Sequence, residues 1–273
     1  MRKFKFTGTG GEIFVKFLVG MILTAITMGI YMPWFMVSIM QYAASKTTIE
    51  GGPKGSLQVE FKGTGGQLFV VGLVGALLTS ITFGIYGAWF MANLMRFYAD
   101  NTTAKAADGT TYRLRFTATG GELFVAYLVG ILLTSITFGI YAPWFMCKLY
   151  TLFAEKTDIL RGDTKVGTVA FSGTGGNLFV TFLVGYLLTM VTLGIYSFWF
   201  QVKMMQFMAQ NTKLTVDNQA LTGDFVGTGG QLFVLSLVGG LLTSITFGIY
   251  GAWFFANLTR YQLENMQFGG ARG

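Results

Sequence analysis

A motif that returns at an almost constant interval constrains this chain more than any other feature. It reads Phe-x-(Gly/Ala)-Thr-Gly-Gly-(Glu/Gln/Asn)-(Leu/Ile)-Phe-Val, and its copies start at Phe6, Phe61, Phe116, Phe171 and Phe225. A second motif, Gly-Ile-Tyr-x-x-Trp-Phe, follows in every copy and contains all five tryptophans of the chain. Similarity at a fixed period of about 55 residues is typical of units that each pack against their neighbours. The sequence therefore predicts five equivalent structural units.

These units divide nearly the whole chain. We place the repeats at residues 1–55, 56–110, 111–165, 166–219 and 220–267. Residues 268–273 follow the last repeat and are predicted to be a flexible tail. In this prediction the five repeats together form one integral membrane domain.

Long uncharged segments indicate that the repeats lie in lipid. No charged residue occurs from Gly63 to Met95 or from Val166 to Val202, and about 20 apolar residues span a bilayer as one helix. Only 11% of all residues are charged, against about 25% in a typical globular protein. The second repeat predicts a long helix from about Gly65 to Ile85, roughly 30 Å in length, and then a shorter helix from Trp89 to Tyr98.

The distribution of charge predicts the topology. Basic residues occur in every connector between repeats, and no turn around Gly-Ile-Tyr carries a charge. By the positive-inside rule, we expect one transmembrane helical hairpin per repeat, with both termini and all connectors cytoplasmic. The shorter helix carries a cation near its middle in several repeats, so it either spans fully or tilts and inserts only in part.

The predicted fold class is a membrane all-α protein with minor β structure. Its five strand–helix–turn–helix repeats are arranged around an axis along the membrane normal. Alternating segments such as Leu57–Phe61 and Tyr112–Phe116 predict the strands. Because these strands enter equivalent hairpins, we expect them to run in one direction and to form a small parallel sheet or ring.

Three sets of residues recur at equivalent positions of the long helix and the turn. Capping boxes, or a weaker form of one where Asn replaces Glu or Gln, mark the helix starts. They are Thr9 with Glu12, Thr64 with Gln67, Thr119 with Glu122, Thr174 with Asn177, and Thr228 with Gln231. A phosphate-binding loop at these turns is the weaker alternative.

A stripe of small residues follows on one face of each long helix. It consists of Gly20, Thr24, Thr27, Gly75, Thr79, Thr82, Gly130, Thr134, Thr137, Gly185, Thr189, Thr192, Gly239, Thr243 and Thr246. Small residues at this spacing favour close packing of helices, and the alternative is the lining of a central pathway.

Aromatic pairs follow at the turn. They are Tyr31 and Trp34, Tyr86 and Trp89, Tyr141 and Trp144, Tyr196 and Trp199, and Tyr250 and Trp253. Tyrosine and tryptophan at a helix end are typical of an aromatic belt at the membrane–water interface.

The sequence offers little for catalysis. It contains no histidine and a single cysteine, Cys147, and its acidic residues form no repeated pair. We therefore expect no catalytic residues, no metal, no cofactor and no enzymatic activity. The surplus of seven positive charges lies mainly in the connectors, where it indicates a membrane surface as the partner and not a nucleic acid.

The Phe-Thr-Gly-Thr-Gly-Gly-Glu segment, followed by Leu-Leu-Thr-Ser-Ile-Thr-Phe-Gly-Ile-Tyr-Ala-Pro-Trp, resembles the YjgN-like bacterial inner-membrane family, whose domain has no known function. The resemblance implies a multi-pass protein of the bacterial inner membrane. We expect a structural or scaffold protein that forms a homo-oligomer, ring or array, or that binds a partner in a membrane complex. The alternative is a channel or transporter lined by the Thr/Gly stripe.

Overall fold

The computed structural model describes residues 1–52 and 54–270. Each repeat consists of a strand, a long helix, a shorter helix and a second strand. The strands are β1 (Arg2–Phe6), β2 (Thr47–Gly52), β3 (Gly55–Phe61), β4 (Thr102–Ala106), β5 (Thr111–Phe116), β6 (Thr157–Arg161), β7 (Thr164–Phe171), β8 (Thr212–Val216), β9 (Gln219–Phe225) and β10 (Met266–Gly270). The helices are α1 (Gly10–Ile26), α2 (Met32–Ser45), α3 (Gly65–Ile81), α4 (Gly87–Asn101), α5 (Gly120–Ile136), α6 (Ala142–Glu155), α7 (Gly175–Val191), α8 (Ser197–Gln210), α9 (Gly229–Ile245) and α10 (Gly251–Glu264).

The ten strands close into an antiparallel barrel in which neighbours along the chain are neighbours in the sheet. The predicted fold class is therefore wrong, because a closed sheet, and not a set of membrane-spanning helices, organises the chain. The predicted parallel sheet is also wrong. The strands that lead into the hairpins do run in one direction. They do not pair with each other, because a strand of opposite direction lies between them: β2 pairs with β1 and β3, and β4 pairs with β3 and β5.

The first four strands place polar residues on one side of the sheet and apolar residues on the other. Partners directly opposite each other in neighbouring strands lie on the same face. One row across the first strands contains Lys5, Thr48, Gln58 and Lys105, and the next contains Phe4, Ile49, Leu57 and Ala106. This alternation is the ordinary pattern of a sheet with one face turned towards apolar surroundings.

The helices form a second closed ring, because each helix packs against the helix before it and the helix after it, and α10 packs against α1. The apolar core lies where this ring meets the barrel. Phe6 at the end of β1, for example, is buried with Ile13, Tyr42, Ala252 and Ala256. The opposite ends of the helices lie far from this core and project as hairpins.

The ring closes through contacts between the last repeat and the first. Strand β10 pairs with β1, and the Arg260 Nη2 donates a hydrogen bond of 2.7 Å to the Gly8 carbonyl. The same kind of bond links earlier repeats, where Arg96 donates to the Ala118 carbonyl and Gln41 to the Gly63 carbonyl. The last repeat therefore contacts the first through the same kind of hydrogen bond that joins neighbouring repeats along the chain.

The long helices end earlier than the sequence predicts. Helix α3 stops at Ile81 and not at Ile85, and its 17 residues measure about 25 Å at 1.5 Å per residue. Within the part of the chain that the structure describes, no helix has both the length and the apolar character needed to cross a membrane. The prediction of transmembrane helices is thus overturned.

Two smaller features are the end of the chain and the prolines at the helix starts. Residues 268–270 of the predicted tail belong to β10, and residues 271–273 lie outside the described part. Pro33 and Pro143 are the second residues of α2 and α6, within the first helical turn, where a proline is tolerated.

Candidate functional site

The most unusual backbone of the molecule lies at the tips of the five helical hairpins. In the second repeat the Gly84 N–H donates to the Thr79 carbonyl at 2.7 Å, and the Phe83 N–H donates to the Ser80 carbonyl at 3.2 Å. This pair of bonds is a Schellman motif, in which the residue at the position of Phe83 adopts a left-handed conformation. Glycine is the usual residue there, because a side chain raises the energy of that conformation by roughly 1–2 kcal/mol.

Every repeat places a large apolar residue at this left-handed position. These residues are Met28, Phe83, Phe138, Leu193 and Phe247, with φ between 48° and 50°. Their side chains are between 93% and 98% exposed. We call these five residues the tip residues. They are strained in the backbone and have almost no contacts with the rest of the chain.

The surface next to the tips is also apolar. Ile81 and Ile85 flank Phe83 on the exposed surface, and Val70 and Val74 continue that surface down the long helix. No charged residue lies between Lys62, which precedes this hairpin, and Arg96 in its shorter helix. Monomeric soluble proteins rarely expose a continuous apolar patch of more than a few hundred Å².

The glycines of the predicted small-residue stripe lie inside the hairpins. A Cβ on Gly75 would overlap the ring of Phe90 on the shorter helix of the same repeat. Gly20, Gly130, Gly185 and Gly239 meet Phe35, Phe145, Phe200 and Phe254 in the same way. This face of the long helix is therefore in contact with a neighbouring helix.

The threonines of the stripe divide into two kinds. Thr82 Oγ1 donates to the Leu78 carbonyl and accepts from the Tyr86 N–H at 2.9 Å, so it joins the helix end to the turn. Thr27, Thr137, Thr192 and Thr246 make the same two bonds.

One turn earlier, Thr189 and Thr243 donate to the carbonyls four residues before them. The hydroxyls of Thr24, Thr79 and Thr134 are buried and have no hydrogen-bond partner among residues 1–52 and 54–270. The threonine side chains thus stabilise the hairpins locally or lie buried within them.

The aromatic pairs lie between neighbouring repeats. Trp34 stacks on Tyr31 at 6.0 Å between ring centroids and contacts Phe69 of the next repeat at 5.2 Å. A Cβ on Gly65 would lie 2.6 Å from the Trp34 Cα, so the glycine allows this approach. Trp89, Trp144, Trp199 and Trp253 meet Gly120, Gly175, Gly229 and Gly10 in the same way. Their position at a membrane interface stays a prediction.

The caps lie at the opposite end of the long helices, next to the barrel. Thr64, Thr119 and Thr228 form complete capping boxes with Gln67, Glu122 and Gln231. Thr174 accepts from the Asn177 N–H alone. Thr9 accepts from the Glu12 N–H, but the Glu12 carboxylate turns to Tyr42 and to Lys46.

The acidic caps are held in their charged form. The Lys156 ammonium hydrogen-bonds the Glu122 carboxylate, and with the Thr119 N–H and hydroxyl it lowers the pKa of Glu122 to about 2. Lys46 and Tyr42 lower the pKa of Glu12 in the same sense. Charge is thus concentrated at the junction with the barrel and in the barrel itself, where all nine ion pairs of residues 1–52 and 54–270 are found.

The tip residues were not among the candidate residues predicted from the sequence. A signal was present, since each precedes the glycine of Gly-Ile-Tyr where a helix commonly ends in a left-handed residue. Within the described residues no three His, Cys, Asp or Glu side chains gather as metal ligands would. The prediction that the chain binds no cofactor stays a prediction.

Comparison with known proteins relates this architecture to a family. The model of a family described as "Bacterial protein of unknown function (DUF898)" matches residues 1–53, 56–108 and 166–224, more than half of the chain. The inner membrane protein YjgN of Salmonella typhimurium is 37% identical over 97 residues. That match covers 35% of this chain and only 23% of the YjgN protein. No solved structure matches the chain. The resemblance to YjgN-like proteins expected from the sequence is confirmed.

Proposed function

Since the chain belongs to this bacterial family of unknown function, we propose that it is a structural protein of the inner membrane whose ring of hairpins is immersed in lipid. The barrel and both described ends of the chain then lie on the cytoplasmic side. The similar YjgN protein is named as an inner membrane protein, which supports this location. The proposal requires the hairpins to enter the bilayer from one face and does not require any helix to cross it.

The strained, exposed tip residues carry this proposal. Left-handed backbone at a large side chain persists only where something offsets its cost, and such outliers concentrate at functional positions. Transfer of one Phe or Leu side chain out of water contributes roughly 1.5–3 kcal/mol. Five tips on one face of a closed ring would therefore contribute roughly 8–15 kcal/mol on entering lipid together.

The charge distribution supports the orientation. The ion pairs and most cations lie in the barrel and at its junction with the hairpins, and loops rich in Lys and Arg stay on the cytoplasmic side of a bacterial membrane. Anionic headgroups of the inner leaflet attract the same cations. The barrel is thus suited to the surface and the hairpins to the interior of the bilayer.

A structural role is supported better than a pathway. The Gly/Thr stripe, which is the surface a pathway would use, is packed against the shorter helices or bonded to the helix backbone. The five repeats instead make a rigid closed platform that displays a charged barrel. Formation of a homo-oligomer or a larger array, and the lack of enzymatic activity, stay predictions.

Depth-dependent fluorescence tests the immersion of the tips. Cys147 is replaced by Ala, and single variants Phe83→Cys and Asn218→Cys are labelled with an environment-sensitive fluorophore in the full chain. Phe83 is a tip residue and Asn218 lies in the turn between β8 and β9. We expect a blue-shifted emission, quenched by brominated acyl chains, for the tip label only. Equal emission and equal quenching at the two sites would remove the proposal.

Labelling in cells tests the orientation. A membrane-impermeant maleimide should modify the Asn218→Cys variant in inside-out vesicles and leave it unmodified in intact spheroplasts. Modification in intact spheroplasts would place the barrel on the outer face and contradict the proposed side. Recovery of the chain only in the soluble fraction would contradict the membrane location itself.

A further inference from the structure

The hairpins contain very few cations, and their number matches the number of repeats. Each hairpin, taken as its two helices, holds one Lys or Arg and no second one. They are Lys16, Arg96, Lys148, Lys203 and Arg260. They occupy three different positions of the repeat, so the periodic sequence does not by itself reveal them as a set.

In the first, second and fifth repeats a groove runs between the two helices of the hairpin, and Lys16 and Arg96 line the grooves of their repeats. In the second repeat a groove of about 870 Å³ is lined by Val70 and Val74 at its apolar end and by Asn93 and Arg96 at its polar end. In the first repeat the same groove, of about 280 Å³, contains Lys16. Lys16 comes from the long helix and Arg96 from the shorter one, yet both line the groove of their repeat.

The groove of the fifth repeat has the same construction. It measures about 610 Å³ and is lined by Val234, Val238 and Asn257. Arg260 Nη1 donates to the Asn257 Oδ1 at 3.3 Å, as Arg96 Nη1 does to the Asn93 Oδ1 at 3.0 Å. Arg260 is therefore held at the polar end of this groove.

In the third and fourth repeats Lys148 and Lys203 replace the asparagine that lines the groove in the second and fifth repeats. Lys203 lies with its ammonium 5.8 Å from the ring centroid of Tyr196. Tyr196 corresponds to Tyr86, which lines the groove of the second repeat. Lys148 occupies the same position on α6 and is exposed. Lys148 and Lys203 thus take, in their own hairpins, the position at which Asn93 lines the groove of the second repeat.

These five cations lack acidic partners. None of them belongs to any of the nine ion pairs formed within residues 1–52 and 54–270. Asp100 lines the same groove as Arg96 without forming an ion pair with it. Glu264 accepts a hydrogen bond from the Phe6 N–H. A cation without an acidic partner, next to the apolar end of a groove, can form an ion pair with an external anion.

We infer that each hairpin groove binds one anionic phospholipid, whose phosphate pairs with the cation and whose acyl chain follows the valine face. This inference rests on the proposed membrane location. The unpaired cation of the hairpin is complementary to a phosphate, and the valine face of the groove is complementary to a hydrocarbon chain. The protein therefore carries a ring of five sites for anionic lipid around its axis.

Native mass spectrometry of the full chain in detergent tests this inference, with phosphatidylglycerol and phosphatidylcholine as probes. We expect up to five retained phosphatidylglycerol molecules and little retained phosphatidylcholine. The double variant Lys148→Gln with Lys203→Gln should retain about three. These side chains make no hydrogen bond within the described residues, so the variant should fold. The control, Lys3→Gln with Lys213→Gln, removes two exposed barrel cations and should retain five.

A variant of the valine face of the groove tests separately whether the acyl chain contributes to binding. Val74→Trp fills the groove of the second repeat without changing any charge and should remove one bound lipid. Addition of sn-glycerol 3-phosphate should not displace the lipids if the acyl chain contributes. Displacement by this headgroup alone, equal retention of the two phospholipids, or equal loss in the barrel control would each overturn the inference.

Flotation with phosphatidylcholine vesicles separates the two proposals. A chain that floats with these vesicles but shows no selectivity for phosphatidylglycerol supports the membrane location and overturns the lipid sites. A chain that fails to float overturns both.

Discussion

A turn of the barrel and the turns at the hairpin tips both contain residues with positive φ, but the barrel turn has polar side chains there and the tips have apolar ones. At the barrel end, Asp217 and Asn218 both have positive φ in the turn between β8 and β9, where Asp and Asn are well tolerated. The Asp217 carboxylate there accepts from the Tyr112 hydroxyl at 2.8 Å and pairs with Arg161 at 3.2 Å. At the hairpin end, Met, Phe or Leu takes the left-handed position and makes almost no contact.

The difference is consistent with the proposed placement of the hairpin end in lipid and of the barrel end in water. A turn that contributes only to folding selects the residues that adopt its backbone at the lowest energy, as the barrel turn does. The hairpin turns retain a strained apolar residue in all five repeats. Under the proposed membrane location, contacts between the tip residues and lipid offset the strain of their backbone.

Placing charge on the tips should have the largest effect on this contrast. The triple variant Phe83→Asp, Phe138→Asp, Phe247→Asp removes three apolar anchors, each worth roughly 1.5–3 kcal/mol. The partition into vesicles should fall by more than a thousandfold. The matched control, Thr168→Asp, Ala170→Asp, Gln219→Asp, adds the same charge to exposed barrel strands. If both triple variants lose flotation equally, the tips have no special role.

Two adjacent glycines at the start of α3 test how tightly neighbouring repeats pack in the helix ring. Gly65→Ala would bring a Cβ to 2.6 Å from the Trp34 Cα, whereas nothing lies within 4 Å of a Cβ on Gly66. We expect Gly65→Ala to lower the free energy of unfolding by about 3 kcal/mol through overpacking, and Gly66→Ala to leave it nearly unchanged. Denaturant unfolding of the detergent-solubilised chain measures both. Equal stability of the two variants would show that the contact between repeats is loose.

Glycine at a tip should separate folding from membrane binding. Phe83→Gly relieves the left-handed strain, so the free energy of unfolding in detergent should rise by about 1 kcal/mol. The same variant loses one apolar anchor, and its partition into vesicles should fall by at least about tenfold. Asn218→Gly in the barrel turn is the control and should change neither value much. A fall in stability for Phe83→Gly would mean that Phe83 contributes to folding.

Two threonines near the end of α3 should respond differently to the loss of their hydroxyl groups. Thr82→Val removes the hydroxyl that bonds Leu78 and Tyr86, and it should cost about 1 kcal/mol of unfolding free energy. Thr79→Val replaces a buried hydroxyl without a partner and should be neutral or stabilising. Thermal unfolding in detergent distinguishes them. A larger loss for Thr79→Val would indicate that its hydroxyl has an unseen partner.

The smallest effect concerns pH at the junction of the two regions. The pKa of Glu122 is about 2 in the folded chain and close to its ordinary value when unfolded. Its stabilising contribution is therefore complete above about pH 4.5 and is lost as the pH falls through about 2. The melting temperature of Glu122→Gln should consequently depend less on pH in this window than that of the unaltered chain. Parallel pH profiles for the two would contradict the role of the Lys156 partner.

Local features of this chain were predictable because their causes are local. The capping hydrogen bonds of Thr64 and Thr119 join residues three apart in the sequence, so the helix starts could be placed closely. The long helix ends four residues before its predicted end, because Phe83 takes the left-handed position where glycine is usual, and an apolar residue there resembles a continuation of the helix. The second strand of each repeat was read as part of a connector, because a five-residue segment such as Thr102–Ala106 gains its hydrogen bonds only from β3 and β5.

The sequence by itself determined the period of the repeats, the local caps and the separation of charged from uncharged segments, since each depends on neighbours along the chain. Only the tertiary structure decided that the strands close into a barrel, that β10 meets β1, and that Lys16 and Arg96 reach equivalent grooves. Those features depend on partners far apart in the sequence. Hydrogen bonds between strands and contacts across a groove depend on distances in space between residues, and the periodicity of a sequence does not give these distances.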